Sequence, residues 1–110
     1  MNISNFVFFD ETSTSNISNP FFNSEAGTIT LQIDCQGSEE NPVDLVIEGL
    51  NDLNAQNYHP ISGIALDGLK LINNITSPGL YCFPCDGLYR IRMKSNGPVG
   101  NFKAYMIAVG

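Results

Sequence analysis

A chain of 110 residues with eleven acidic and five basic side chains, and hence a net charge of −6, is sized for one domain with a modest core. Its charge balance argues against wrapping a nucleic-acid backbone or adsorbing to an anionic membrane, both of which need lysine and arginine. Charged residues make up only 15% of the chain, against 43% hydrophobic and 10% aromatic, so the surface is built largely from Asn, Ser, Thr, Gln and Gly. A surface poor in Lys and Glu loses less side-chain entropy when another protein covers it, which favours a subunit of an assembly, a homo-oligomer included. No run of about 18 apolar residues is present, so no transmembrane helix is expected. The first ten residues lack the basic stretch and apolar run of a secretory signal, so synthesis in a cytoplasm is expected. Three cysteines, an odd number, fit reduced thiols better than a disulfide scaffold.

The N-terminal stretch, residues 1–25, holds the apolar run Phe6-Val7-Phe8-Phe9 and, after Pro20, the pair Phe21-Phe22, among Ser, Thr and Asn. It reads as an edge strand or an arm ahead of a domain over 26–110. Five phenylalanines exposed together exceed what a monomer tolerates. Phe6, Phe8, Phe9, Phe21 and Phe22 therefore either fold back on the core or anchor an interface.

From Gly27 to Cys35, Ile29, Leu31 and Ile33 alternate with Thr28, Thr30, Gln32 and Asp34, the period of a half-buried strand. Gln36 to Pro42 is an acidic loop, and Val43 to Leu50 is the next strand. Asn51 to Pro60 reads as a polar loop. Ile61 to Asn74 splits at Asp67-Gly68, a hairpin-turn signal between two short strands. Gly79 to Phe83 is a strand and Pro84 to Gly87 a turn. In Leu88 to Ser95, Tyr89, Ile91 and Met93 alternate with Arg90, Arg92 and Lys94. Asn101 to Val109 closes the chain and is apolar on both faces after Tyr105, as a central strand is. Seven or eight short strands without a helical stripe predict an all-β fold, an antiparallel two-sheet β-sandwich with jelly-roll-like connections.

Candidate chemistry is sparse. Cys82-Phe83-Pro84-Cys85 has the spacing of a redox or metal pair, but it leaves a strand rather than opening a helix, where a dipole lowers a thiol pKa. A set of Cys35, His59, Cys82 and Cys85 has ligand types suited to zinc. Plain buried thiols and a surface histidine outweigh it, and no cofactor is expected. Asp34, Glu39, Glu40, Asp44 and Asp52 match no calcium loop. No nucleophile elbow or HExxH pattern occurs, so no enzymatic activity is expected. Arg90, Arg92 and Lys94 form a basic stripe on one strand face. They either meet an acidic partner surface or sit as a solvated face balanced by cross-strand acids, and the second reading weighs more.

The passages Thr76-Ser77-Pro78-Gly79-Leu80-Tyr81 and Gly87-Leu88-Tyr89-Arg90-Ile91-Arg92, followed by a Gly-containing turn and a closing strand, carry a resemblance, and Leu45-Val46-Ile47-Glu48-Gly49 fits the same pattern. From about Gly27 to Val109 the chain resembles small β-sandwich proteins of tailed-bacteriophage virions, departing from them at Cys82, Pro84 and Cys85. The resemblance implies a non-enzymatic structural role in the virion, as a capsid decoration protein assembling with other virion proteins. A tail accessory or a carbohydrate-binding module for adhesion to a host surface is the alternative. The family brings no catalytic residues.

Overall fold

The computed structural model describes residues 3–10, 12–23, 27–34, 42–51, 57–97 and 103–109, and every regular element among them is a strand. In chain order these are β1 (Ile3–Phe9), β2 (Phe21–Phe22), β3 (Thr28–Asp34), β4 (Leu45–Leu50), β5 (His59–Ile61), β6 (Gly63–Ala65), β7 (Lys70–Ile72), β8 (Gly79–Pro84), β9 (Arg90–Ser95) and β10 (Lys103–Val109). They form a six-stranded sheet, β1-β10-β3-β8-β6-β7, and a four-stranded sheet, β2-β9-β4-β5. All pairings are antiparallel.

Among the described strands the chain changes sheet at six of nine connections: β1 to β2, β2 to β3, β3 to β4, β5 to β6, β8 to β9 and β9 to β10. The β6–β7 hairpin is added outside β8, with Ala65 and Ile72 packed against the core.

Side-chain alternation builds the core. Ile29, Leu31 and Ile33 on β3 face Leu45 and Ile47 on β4 and Ile91 and Met93 on β9 across the sheet gap, and all seven are fully buried. Burying an aliphatic side chain of this size stabilises the fold by about 1.5–3 kcal/mol. Tyr81, Phe83 and Cys85 fill the β8 side, and Ala104 the β10 side. Strand β10 lies between β1 and β3, a central position as its sequence predicts.

Two consecutive phenylalanines, Phe8 and Phe9, are both buried, which a regular strand forbids. The register of β1 against β10 shifts between Val7 and Phe9, and this bulge turns both rings inward. Residues 16–23 then run along the outer edge of β9. The Ser95 N–H donates to the Asn16 carbonyl (2.8 Å), and Ser18 and Met93 exchange an N–H to carbonyl bond (2.9 Å) and an N–H to hydroxyl bond (2.9 Å). The Asn23 amide donates to the carbonyls of Cys85 and Leu88, both at 3.1 Å. The first strand is thus an edge of one sheet and the second an edge of the other.

Among the described residues ten strands are found where seven or eight are expected, because β2 and β5 are two and three residues long, too short for a period to register. His59 and Pro60, expected in a loop, belong to β5 on the open edge of the four-stranded sheet, where a proline breaks no ladder. The Asp67-Gly68 turn falls where expected, between β6 and β7. Val43 is buried but precedes its strand, which starts at Leu45. Cys35, Glu39, Glu40, Asp52, Pro98 and Phe102 lie outside the described residues.

Gly63 packs against the next strand so closely that an added Cβ would stand 2.6 Å from the Cys82 carbonyl and 2.7 Å from the Phe83 ring. Equilibrium urea unfolding should show Gly63→Ala losing about 1–3 kcal/mol through overpacking. Ile91→Ala should lose about 2–5 kcal/mol through the cavity it leaves.

Candidate functional site

The outer face of the four-stranded sheet carries the basic stripe. Antiparallel register sets Arg92 opposite Glu48, Lys94 opposite Val46 and Arg90 opposite Leu50. Arg92 Nε donates to Glu48 Oε1 at 2.8 Å, with both side chains largely shielded from solvent. The same guanidinium lies 3.9 Å from the centre of the Tyr58 ring. A charge-assisted bond and a cation–π contact on one side chain contribute together about 1–2 kcal/mol. Arg90 lies 5.1 Å from the Phe22 ring centre and 5.2 Å from that of Tyr89, and Phe22 and Tyr89 meet edge to face at 6.0 Å. Two of the three cations are thus held by their own chain. Among the described residues Lys94 has no carboxylate within ion-pair distance.

Of the five N-terminal phenylalanines, Phe8 and Phe9 are core residues, and Phe6 and Phe21 are half-buried against that core with their rings 5.6 Å apart. Phe22, 57% exposed, is the one that faces outward. Any interface drawn from this group narrows to Phe22 with Arg90 beside it.

Next to Lys94 a shallow groove of about 350 Å³ opens, lined by Val46, Glu48, Pro60, Asn73, Asn74 and Lys94 among others. Its amides are fixed by neighbours: Ser62 Oγ donates to Asn73 Oδ1 and Asn74 Nδ2 to Asp44 Oδ1, both at 2.6 Å. Amide, hydroxyl, ammonium and carboxylate groups over an apolar floor suit a small polar ligand with many hydroxyls.

The other sheet has an outer face of two characters. On β3 it is polar, with Thr28, Thr30, Gln32 and Asp34 exposed. Beyond β3 it turns apolar. Ile64 pairs with Leu71 on one side and Cys82 on the other, and Leu66 bonds to Leu80 through its N–H (3.0 Å). This register puts Ile64, Leu66, Leu71 and Leu80 on one face, and all four are exposed, Leu71 at 77%. At the turn, Leu69 is 74% exposed and takes a positive φ of 52°, a conformation that costs a non-glycine residue about 1–2 kcal/mol. Sequence reasoning misses this patch, since leucines in short strands read as core. The available signal is that the turn-distal positions Ile64, Leu66 and Leu71 alternate in register with Ala65 and Lys70.

The proposed metal set does not assemble among the described residues. His59 stands on the four-stranded sheet and Cys82 on the six-stranded one, and no group of three His, Cys, Asp or Glu there could hold an ion. Cys35 is outside the described residues. Tyr81 shows a structural use of the Thr76–Tyr81 passage: its hydroxyl donates to the Ser77 carbonyl at 2.6 Å and ties the loop down. Cys82 is half-buried and Cys85 buried. Burial, with Asp86 and Cys82 adding to it, pushes the Cys85 thiol up to about 11.

That shift has a sign that can be checked. The unfolded thiol ionises near 9 and the folded one near 11, so the folded chain keeps a proton the unfolded chain releases. The Cys85 contribution to stability is full below about pH 9 and declines as pH rises toward 11. Native alkylation with iodoacetamide at pH 8, read by site-resolved mass spectrometry, should label Cys82 well ahead of Cys85. Cys85→Ala should flatten the loss of stability between pH 9 and 11.

No protein-family model matches the chain, and no curated protein sequence matches it significantly. Two solved structures share its fold. One is the SPBc2 prophage-derived protein YomS, with a TM-score of 0.81 and 19% identity over 99% of this chain and 94% of that one. The other is the PBSX exported protein XepA, with a TM-score of 0.85 and 14% identity over 99% of this chain. The present chain spans 38% of the length of XepA, so that protein contains this sandwich within a longer polypeptide. At these identities the likeness establishes a shared all-β sandwich fold.

Proposed function

We propose that this chain is a non-enzymatic structural protein of a bacteriophage, assembling with other virion subunits as a capsid-associated decoration protein. The observation that carries the reading is the fold: two proteins of prophage origin match it over 99% of the chain, β6–β7 hairpin included. The low charge content and the exposed Phe22, Arg90 and leucine-rich surfaces support it, since such surfaces suit burial against other proteins. A location on or with the virion follows, after synthesis in the host cytoplasm.

Deleting residues 1–23 is a poor test, because it removes β1, β2 and the bonds that line β9. Phe22→Ser keeps the fold and alters the outward ring. In density-gradient fractions of purified particles the wild-type chain should co-sediment with the major virion proteins at fixed stoichiometry, and Phe22→Ser should lower that occupancy several-fold. Recovery of the wild-type chain only in the soluble fraction contradicts the proposal.

The groove beside Lys94 favours a second reading, a module that holds a host-surface glycan through Asn73, Asn74 and Lys94. A glycan array should then give binding that Asn73→Ala and Lys94→Ala reduce about tenfold or more, as loss of one well-placed polar contact does. A blank array removes this reading.

A further inference from the structure

We propose that the groove beside Lys94 takes a sugar acid, a carboxylate-bearing saccharide, in preference to a neutral one. The inference rests on the glycan reading of that groove and specifies the class of glycan. Strand register singles out Lys94 among the cations of β9. Arg92 stands opposite Glu48 and bonds to it, and the Arg90 guanidinium lies over two aromatic rings. Half-buried Lys94 has Val46 across from it on β4 and Ile17 across from it on the other side, both apolar. Neither cross-strand neighbour can compensate its charge, and among the described residues no carboxylate reaches it.

The acids around the groove are engaged already. Glu48, which lines it, accepts from Arg92 Nε at 2.8 Å, so its charge is compensated. Asp44 is not part of the lining, and its Oδ1 accepts from Asn74 Nδ2 at 2.6 Å. What the groove still offers a ligand follows group by group. Asn73 Oδ1 is filled by Ser62 Oγ, so the Asn73 amide NH₂ remains to donate. Asn74 turns its NH₂ to Asp44, so its Oδ1 remains to accept. Lys94 adds the N–H donors of an ammonium. Exposed Pro60 and half-buried Val46 supply an apolar floor. The complement is a ring with an apolar face, a hydroxyl that donates to Asn74, and an anionic oxygen pair that accepts from Asn73 and Lys94. A sugar acid carries all three on one small frame, and the groove volume of about 350 Å³ sits at the small end of the ligand-pocket range of roughly 300–1,000 Å³. With a net charge of −6 the chain as a whole repels an anion, so any preference for the acid over the neutral sugar has to come from Lys94.

Titration of the isotope-labelled full chain with methyl β-glucoside and methyl β-glucuronide, sugars alike except for the carboxylate, tests the proposal in backbone amide spectra at low ionic strength. The glucuronide should shift the amide signals of Val46, Asn73, Asn74 and Lys94, with a dissociation constant about fivefold below that of the glucoside, the scale of one partly shielded surface ion pair. Lys94→Arg should keep that preference. Lys94→Gln should remove or reverse it, while the unchanged remainder of the spectrum shows the fold intact. Equal affinity for the two sugars, or a preference that survives Lys94→Gln, overturns this inference and leaves the broader glycan reading standing. No response of these four amides to either sugar overturns both. Acetate shifting them as strongly as the glucuronide also overturns the inference, since the site then holds a bare anion and not a sugar.

Discussion

Contact between the inner faces of two sheets is the constraint on which everything else in this molecule depends. Neither sheet is stable alone, since each presents a full row of aliphatic side chains on one side. Ile29, Leu31 and Ile33 supply that row on one sheet, and Leu45, Ile47, Ile91 and Met93 on the other. Once the rows meet, the outer faces are set by the same alternation, and with them the positions of Arg92, Lys94, Ile64 and Leu71. The basic stripe and the leucine patch are the reverse sides of the strands that build the core.

The two outer faces differ in how far the chain satisfies its own groups. On the four-stranded sheet Arg92 is matched by Glu48 and Tyr58, and Arg90 by Phe22 and Tyr89. Arg90 Nε is buried there with no hydrogen-bond partner among the described residues, and a polar groove opens beside Lys94. On the six-stranded sheet the outer leucines of the hairpin are exposed, while Ala65 and Ile72 on its other face pack against the core. A surface that is apolar and strained at its tip differs in kind from one that is polar and internally paired.

Much of this was legible in the sequence, for a physical reason that also marks where legibility stops. Strands β3 and β9 are half-buried, so each has one apolar and one polar face, and the period of two declares itself. Strand β10 lies between β1 and β3, the central place its doubled apolar pattern predicts. The Asp67-Gly68 turn follows from backbone sterics local to the dipeptide. The burial of Phe8 and Phe9 together is not legible, because it depends on a bulge against β10, nearly a hundred residues away. Residues 16–23 read as a polar arm because only Phe21 and Phe22 pair as a strand, while Ser18 bonds to Met93 of β9 and the Asn23 amide to the carbonyls of Cys85 and Leu88. The leucines of the hairpin mislead for the opposite reason, since hydrophobicity reports a preference for burial without naming what does the burying. Of the candidate site residues, Arg90 and Arg92 were found as a stripe, yet only the cross-strand register shows which of them is occupied.

Hydroxyl-radical footprinting of the chain at high dilution, with oxidation rates resolved by residue, tests the two-face account most directly. It predicts fast modification at Leu69 and Leu71 and strong protection at Leu31, Ile91 and Met93, the last despite the high intrinsic reactivity of its thioether. Met93 oxidising as fast as it does in the urea-unfolded chain, or Leu71 protected as well as Leu31, would contradict it.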